Sequence, residues 1–257
     1  MQRYAFQIAY DGSRYFGFVR QPEQLTAEGE LLKAFKCCGI LTELKDAHYQ
    51  VAARTDRGVS ALCQVVALDV SKRPSIRAIN AGLPDDIKIL SVVKVQPPFD
   101  PRRQALCKHY RYKCEAPPVF NLKKARAAAE MLQGRHDFWN FCKHEHGKPT
   151  TGELQQAKIS EKKNLTFDFV APAFLWQQVR RMVSALLAVG LGKLDLRDFK
   201  LMLKGPRIPL PRPAPPEGLV LVRVVYGNVD FGSNCRRSEC VNLLKRIHSK
   251  ISIATAK

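Results

Sequence analysis

Val51-Ala52-Ala53-Arg54-Thr55-Asp56-Arg57-Gly58-Val59-Ser60 is the stretch on which the reading of this chain turns. Apolar runs flank it, His48-Tyr49-Gln50-Val51-Ala52 before and Leu62-Cys63-Gln64-Val65-Val66-Ala67-Leu68 after, and both read as strands. Between them lie a carboxylate with an arginine on each side, a threonine and a glycine. A polar turn held by apolar strands is where a rigid scaffold commonly carries chemistry. Gly58 allows a sharp reversal, because glycine enters backbone conformations closed to other residues. Asp56 is expected to project from the loop, with Arg54 or Arg57 near enough to keep it ionised. The same residues also fit a plain hairpin in which Asp56 closes the turn and the arginines face water.

The strand reading extends on both sides. Arg3 to Tyr10 alternates Tyr4, Phe6 and Ile8 with smaller or polar residues, a half-buried strand. The loop Asp11 to Gln21 mixes aromatics, arginines and glycines, which suits either RNA contact or packing on the core. Thr26 is a helix N-cap, followed by Glu28 and Glu30 in the first turn, and Leu31, Leu32 and Phe35 share a face through Lys36. Pro74 to Asn80 reads as a short helix stopped by Gly82, and Ile87 to Val95 as a strand. The order strand, helix, strand, strand, helix, strand is the split β-α-β pattern of a ferredoxin-like antiparallel sheet. Gln96-Pro97-Pro98-Phe99-Asp100-Pro101 reads as a hinge, so residues 1–100 form an N-terminal lobe carrying the Asp56 loop.

Residues 101–257 read as a second α/β lobe. Ala105 to Glu115 is a basic strand in which alternation puts Tyr110 and Tyr112 on one face and Arg111 and Lys113 on the other. Asn121 to Leu132 is a helix ended by Gly134, Asp137 to Phe141 an aromatic plug, and Leu154–Ser160 and Leu165–Val170 are strands. Phe174 to Val189 is a long apolar helix bearing Gln177, Gln178, Arg180 and Arg181 near its start; Leu196 to Leu203 is a short one. Pro206 to Pro216 excludes regular structure. Leu219 to Tyr226 is a last strand, and in the basic tail Val241, Leu244, Ile247 and Ile251 recur at helical spacing. The expected class is α+β, two ferredoxin-like α/β lobes with antiparallel sheets forming a central cleft.

The chain has 257 residues, 46% of them hydrophobic, and 42 Lys+Arg against 23 Asp+Glu, a net charge of +19. That balance points first to a nucleic acid and second to an anionic membrane surface. No apolar run approaches the length of a membrane span, and Met1-Gln2-Arg3-Tyr4 lacks the core of a signal peptide. The eight cysteines contain no C-x-x-C pair and read as buried thiols in a reducing compartment, which places the protein in the cytoplasm. Cys142-x-His144-x-His146 lacks a fourth ligand at a usual spacing, so no metal is expected.

Asp56 on a strand loop, Tyr110 on a basic strand and Arg180 on an apolar helix are groups the two lobes could bring together. An arginine in so apolar a helix needs a partner, and pairing with Asp56 would leave a carboxylate ready as nucleophile. Six segments then carry a resemblance across nearly the whole chain. Arg54-Thr55-Asp56-Arg57-Gly58-Val59 resembles the catalytic R-T-D-x-G-V motif of the TruA family of tRNA pseudouridine synthases. Tyr10-Asp11-Gly12-Ser13 with Tyr15-Phe16-Gly17-Phe18, Asn80-Ala81-Gly82-Leu83-Pro84-Asp85-Asp86-Ile87 and Phe99-Asp100-Pro101-Arg102 before Tyr110-Arg111-Tyr112 are similar to further family segments. So are Phe174 to Arg180 and Ala214 to Leu219. Ala53 and Ser60 stand where bacterial members have Gly and usually His. Leu175-Trp176-Gln177-Gln178 and Asp137 to Lys143 look like archaeal or eukaryotic members.

The resemblance implies a pseudouridine synthase fold and an isomerisation of uridine to pseudouridine at tRNA nucleotides 38, 39 and/or 40, without metal or cofactor. It implies Asp56 as nucleophile, on the base or the sugar C1′; Arg180 as its partner; and Tyr110 stacked on the flipped base and serving in proton removal at C5. Arg54 would occupy the space the base vacates, and Arg102 and Gln178 would also contact substrate. A homodimer with one tRNA touching both subunits is implied too, with no membrane and no small-molecule partner. Two readings compete. One is a basic RNA-binding protein without catalysis. The other is an Asp-nucleophile hydrolase or phosphotransferase, which would want an acidic metal cluster where only Asp85-Asp86 offers a pair.

Overall fold

The computed structural model describes residues 1–204, 212–232, 243, 245–247 and 249. Its N-terminal sheet is built on β1 (Gln2–Tyr10), which lies between β3 (Ser60–Val70) and β4 (Ile87–Lys94), antiparallel to both. The other edge of β3 receives the two-residue β2 (Gln50–Val51) at Val66–Ala67, and β10 (Leu219–Tyr226) in parallel at Ser60–Ala61. Helix α1 (Ala27–Cys37) connects β1 to β2, and α2 (Ile76–Ala81) connects β3 to β4. The order β4-β1-β3-β2 is the ferredoxin-like arrangement expected from the split β-α-β pattern.

Local chemistry explains the helix boundaries. Thr26 Oγ1 accepts the Gly29 N–H, and Ser75 Oγ accepts the Ala78 N–H, so each helix starts at a hydroxyl that takes one of its orphan donors. Phe6 on β1 meets Phe35 on α1 with ring centroids 4.9 Å apart, which pins the helix to the sheet. β1 is covered on both faces, with Ala5 and Ala9 as buried as Phe6 and Ile8, because it is a central strand. The half-buried strand expected from its alternation is therefore corrected. β2 is shorter than the His48–Ala52 run suggested; His48 sits at φ 43°, outside the strand region.

The chain forms two compact units. One comprises Met1–Leu106 with Val220–Lys250, so that β10 groups with the N-terminal sheet; the other includes Cys107–Leu219. In the second unit β8 (Gln156–Glu161), β9 (Leu165–Ala171) and β5 (Ala105–Cys114) pair antiparallel in that order. Helix α3 (Leu122–Met131), capped by Asn121, packs on β8, on α4 (Gln178–Gly190) and on α5 (Leu196–Met202). A hairpin of β6 (Gly134–Asp137) and β7 (Thr151–Leu154) stands apart from this sheet, and the expected single strand Leu154–Ser160 is broken at Gln155. The expected aromatic plug is a 3-10 turn in which Phe138 and Phe141 are fully buried. Residues 206–211 of the proline-rich segment, and Val241, Leu244 and Ile251 of the tail, lie outside the described residues; Leu243 and Ile247 are helical and buried.

Alternation along β5 separates two environments. Tyr110 and Tyr112 are buried, while His109 and Arg111 turn to the opposite face and converge on Asp168 of β9. His109 Nε2 lies 2.6 Å and Arg111 Nε 2.8 Å from Asp168 Oδ1. Burial by itself raises the Asp168 carboxyl, but the hydrogen bonds from His109 and Arg111 and their charges outweigh it and hold the group below its ordinary range.

Two tests follow from this packing. Asn80, buried in α2, donates from Nδ2 to the Ile89 carbonyl and accepts the Ile89 N–H at Oδ1, tying α2 to β4. Asn80→Ala orphans both backbone groups and is expected to lower stability by about 2–4 kcal/mol in urea unfolding; an unchanged midpoint would contradict the tie. For Asp168, a carboxylate held low stabilises the fold above its unfolded value and stops doing so as pH falls through the folded value. Asp168→Asn is expected to be less stable than wild type at pH 7, with the gap narrowing below about pH 4; a gap independent of pH would show that charge is not involved.

Candidate active site

The Asp56 loop leaves β2 at Val51 and enters β3 at Ser60, and buried polar contacts hold it at both ends. On the entry side, the fully buried Gln64 amide clamps Ala53. Gln64 Oε1 accepts the Ala53 N–H at 3.2 Å, and Nε2 donates to the Ala53 carbonyl at 2.7 Å. Thr55 turns its hydroxyl inward to the Tyr10 hydroxyl, 2.7 Å away. Burial holds the Tyr10 phenol well above its ordinary range, partly offset by the Thr55 hydrogen bond, so the group stays protonated.

On the exit side, a turn closes with the Val59 N–H donating to the Asp56 carbonyl at 3.1 Å. Gly58 sits at φ +81°, a conformation costly for a side chain, and its N–H donates to the Tyr15 carbonyl. The segment Asp11–Phe18 backs the loop throughout. Gly12 N–H donates to Ser60 Oγ at 3.0 Å, and Phe18 N–H donates to the Thr55 carbonyl at 3.2 Å. A Cβ on Gly12 would lie 2.0 Å from the Val59 carbonyl oxygen, so the two backbones touch.

These tethers sort the side chains of the loop. Ala52, Ala53, Thr55, Val59 and Ser60 are buried, Asp56 is half-buried, and Arg54 and Arg57 are exposed. Arg57 lies over the Phe16 ring, 4.2 Å from its centroid, and is thereby drawn along the protein surface. Arg54 projects outward. Arg102 is exposed at a turn whose N–H groups at Arg102 and Arg103 donate to Asp100 Oδ1. Asp56, Arg54 and Arg102 belong to the first unit, and Tyr110, Gln178 and Arg180 to the second.

In the second unit, Tyr110 is buried and meets Phe174 edge-on, with centroids 5.1 Å apart and planes at 85°. The helix expected from Phe174 begins only at Gln178, because Gln177 takes a left-handed conformation at φ 58°. Buried Gln178 stabilises the turn before it, its Oε1 accepting the Leu175 N–H at 2.8 Å. Arg180 therefore lies in the first turn of α4. Its Nε donates to the Ala214 carbonyl at 2.7 Å and its own carbonyl accepts the Ala214 N–H, which joins α4 to the segment leading into β10.

Cys142 and His144 both turn to Trp139. The Cys142 thiol donates to the Trp139 carbonyl, and His144 Nε2 lies 2.8 Å from the same oxygen, its ring tilted by 32° against the indole with centroids 3.5 Å apart. Burial pushes the Cys142 thiol up to about 11, so it is a neutral thiol at physiological pH. Among the described residues no group of three or more His, Cys, Asp or Glu side chains is placed to hold a metal ion. No helix among them is long and apolar enough to cross a membrane.

The supporting residues were less visible in sequence than Asp56 itself. Gln64 had a signal, a lone amide inside an apolar strand, where an unpaired polar group would be costly. Gly12 and Ser60 had none beyond the resemblance, because their contact spans 48 positions.

A family model described as tRNA pseudouridine synthase matches residues 128–249. The tRNA pseudouridine synthase A of Thermococcus sibiricus is 40% identical over 233 residues, covering 89% of this chain and 86% of that protein. That of Methanosphaera stadtmanae is 35% identical over 254 residues, covering 96% and 92%. A solved archaeal box H/ACA sRNP Nop10-Cbf5 complex aligns at 13% identity with a TM-score of 0.36, over 72% of this chain and 44% of that one, too distant to add to the assignment. On identity sustained over nearly nine-tenths of its length, this chain belongs to the tRNA pseudouridine synthase family, isomerases that convert uridine to pseudouridine.

Proposed function

We propose that this protein isomerises uridine at nucleotides 38, 39 and/or 40 of the tRNA anticodon stem-loop, with Asp56 as nucleophile on a base flipped from its stack. The observation that carries this reading is the Asp56 loop. One half-buried carboxylate is presented on a backbone tethered by Gln64, Tyr15, Phe18 and Ser60, with an exposed arginine two residues away. A fixed carboxylate is what nucleophilic catalysis needs, since misplacement by about 1 Å costs large factors in rate.

In the proposed reaction Asp56 adds to the base or to the sugar C1′. The N1–C1′ bond breaks, the uracil turns, C5 bonds to C1′, and the bond to Asp56 breaks to return the free carboxylate. The C5 proton is lost and N1 gains one, so product and substrate have the same atoms and electrons. Tyr110 stacks on the base and serves in removing the C5 proton. In this reading Arg180 is the partner of Asp56, Arg54 fills the space of the extruded base, and Arg102 and Gln178 add substrate contacts. The net charge of +19 supplies the phosphate attraction that tRNA binding requires. A homodimer working in the cytoplasm, with one tRNA touching both subunits, belongs to the same reading.

The test is tritium release from tRNA carrying 5-tritiated uridine. Wild type is expected to release tritium stoichiometrically with pseudouridine. Asp56→Asn is expected to release none while its tRNA affinity stays within about tenfold, because affinity rests on phosphate contacts. An active Asp56→Asn variant would remove Asp56 as nucleophile, and tRNA binding without any release by wild type would leave an RNA-binding protein without catalysis. Tyr110→Phe is expected to bind tRNA normally and lose at least about a hundredfold in turnover, the scale of a lost acid–base group. Near-normal turnover would assign Tyr110 to stacking alone.

A further inference from the structure

The Asp11–Arg14 turn that backs the Asp56 loop is itself held from the far end of the chain. Asp11 is buried. Its Oδ1 accepts the Ser13 N–H at 3.1 Å, closing the turn, and its N–H donates to the Asp86 carbonyl at 2.9 Å. Arg246, in the helical stretch fixed by buried Leu243 and Ile247, reaches this junction from the same unit. Arg246 Nε lies 3.5 Å from Asp11 Oδ2, and Nη2 donates to the Asp85 carbonyl at 3.3 Å. One guanidinium thus spans the two segments, residues 11–14 and 85–86, that meet behind the catalytic loop. From the turn, coupling to the loop is direct: Gly12 to Ser60 and Val59, and Tyr15 to Gly58.

We propose that Arg246 is a positioning residue for the isomerisation, locking the Asp11–Arg14 turn and through it the Asp56 loop. A planar fork suits this bridge, because the two contacts use two different nitrogens of the guanidinium where a lysine offers one. The assignment separates Arg246 from the general basic surface: its work is on the geometry of Asp56 and not on phosphate attraction. It rests on the reaction proposed above.

The experiment compares wild type with Arg246→Ala, Arg246→Lys, Asp11→Asn and the double variant Arg246→Ala/Asp11→Asn, by single-turnover kinetics on tRNA and by amide hydrogen exchange of the apo protein. Arg246→Ala is expected to lower the chemical rate roughly tenfold, less than direct loss of a catalytic contact, with tRNA affinity changed less than about twofold. Arg246→Lys should fall between it and wild type. The double variant should be no slower than the slower single variant, as expected of two residues acting through one link. Exchange at Gly12 and Gly58 should quicken in Arg246→Ala while the β1 and β3 amides stay protected, which separates loop loosening from unfolding. Weakened tRNA affinity with an unchanged rate would make Arg246 a phosphate contact and overturn the proposal, as would unchanged exchange at both glycines. Because exchange needs no substrate, it judges the coupling even if wild type proves inactive on tRNA.

Discussion

A polar side chain deep in a sheet must satisfy its own hydrogen bonds within the protein, and the structure around Asp56 depends on how Gln64 meets that requirement. Fully buried, the Gln64 amide takes both the N–H and the carbonyl of Ala53. Ala53 would otherwise have two unpaired groups where the chain leaves β2. The cost of burying an amide on one side, and of burying loop backbone on the other, is removed by the same pair of bonds. That pair sets where the chain turns out toward Arg54.

The remainder of the loop follows from backbone contact. Gly12 lies against the Val59 carbonyl, and Gly17 at φ +106° brings its own backbone beside Thr55 and Asp56. Close packing of main chain on main chain leaves little freedom for the residues between. Asp56 is consequently held on a tethered backbone while its side chain stays half-buried. The two flanking arginines end differently because of what lies beneath them: Phe16 lies under Arg57, while Arg54 projects from the tethered stretch.

Much of this was legible in the chain. The element order of the N-terminal unit followed from hydrophobic alternation and capping residues, and Thr26 and Asn121 began their helices as expected. Legibility failed where a nonlocal or conformational term decides. Gln177 has no sequence mark of a left-handed residue, so the start of α4 was placed four residues early. The β6–β7 hairpin has short polar strands without alternation, held together by backbone pairing that composition does not register. Asp56, Arg54 and Tyr110 stood out by motif. What holds the loop from behind lies beyond the reach of any local pattern, as with Tyr10 and Thr55, 45 positions apart, and Gly12 and Ser60, 48 apart.

The pairing of β10 with β3 has a consequence for biosynthesis. Ser60 and Ala61, at the exit of the Asp56 loop, gain their parallel neighbour only when Val220 and Leu221 are available. On the ribosome the whole of residues 107–219 emerges in between, so this end of β3 waits as an open edge while the second unit folds. Long-range parallel closure is slow because its loop entropy is lost before contacts form. The exit of the Asp56 loop therefore gains its parallel strand pairing later than its contacts with Gln64, Gly12, Tyr15 and Phe18, all of which lie within the first 106 residues.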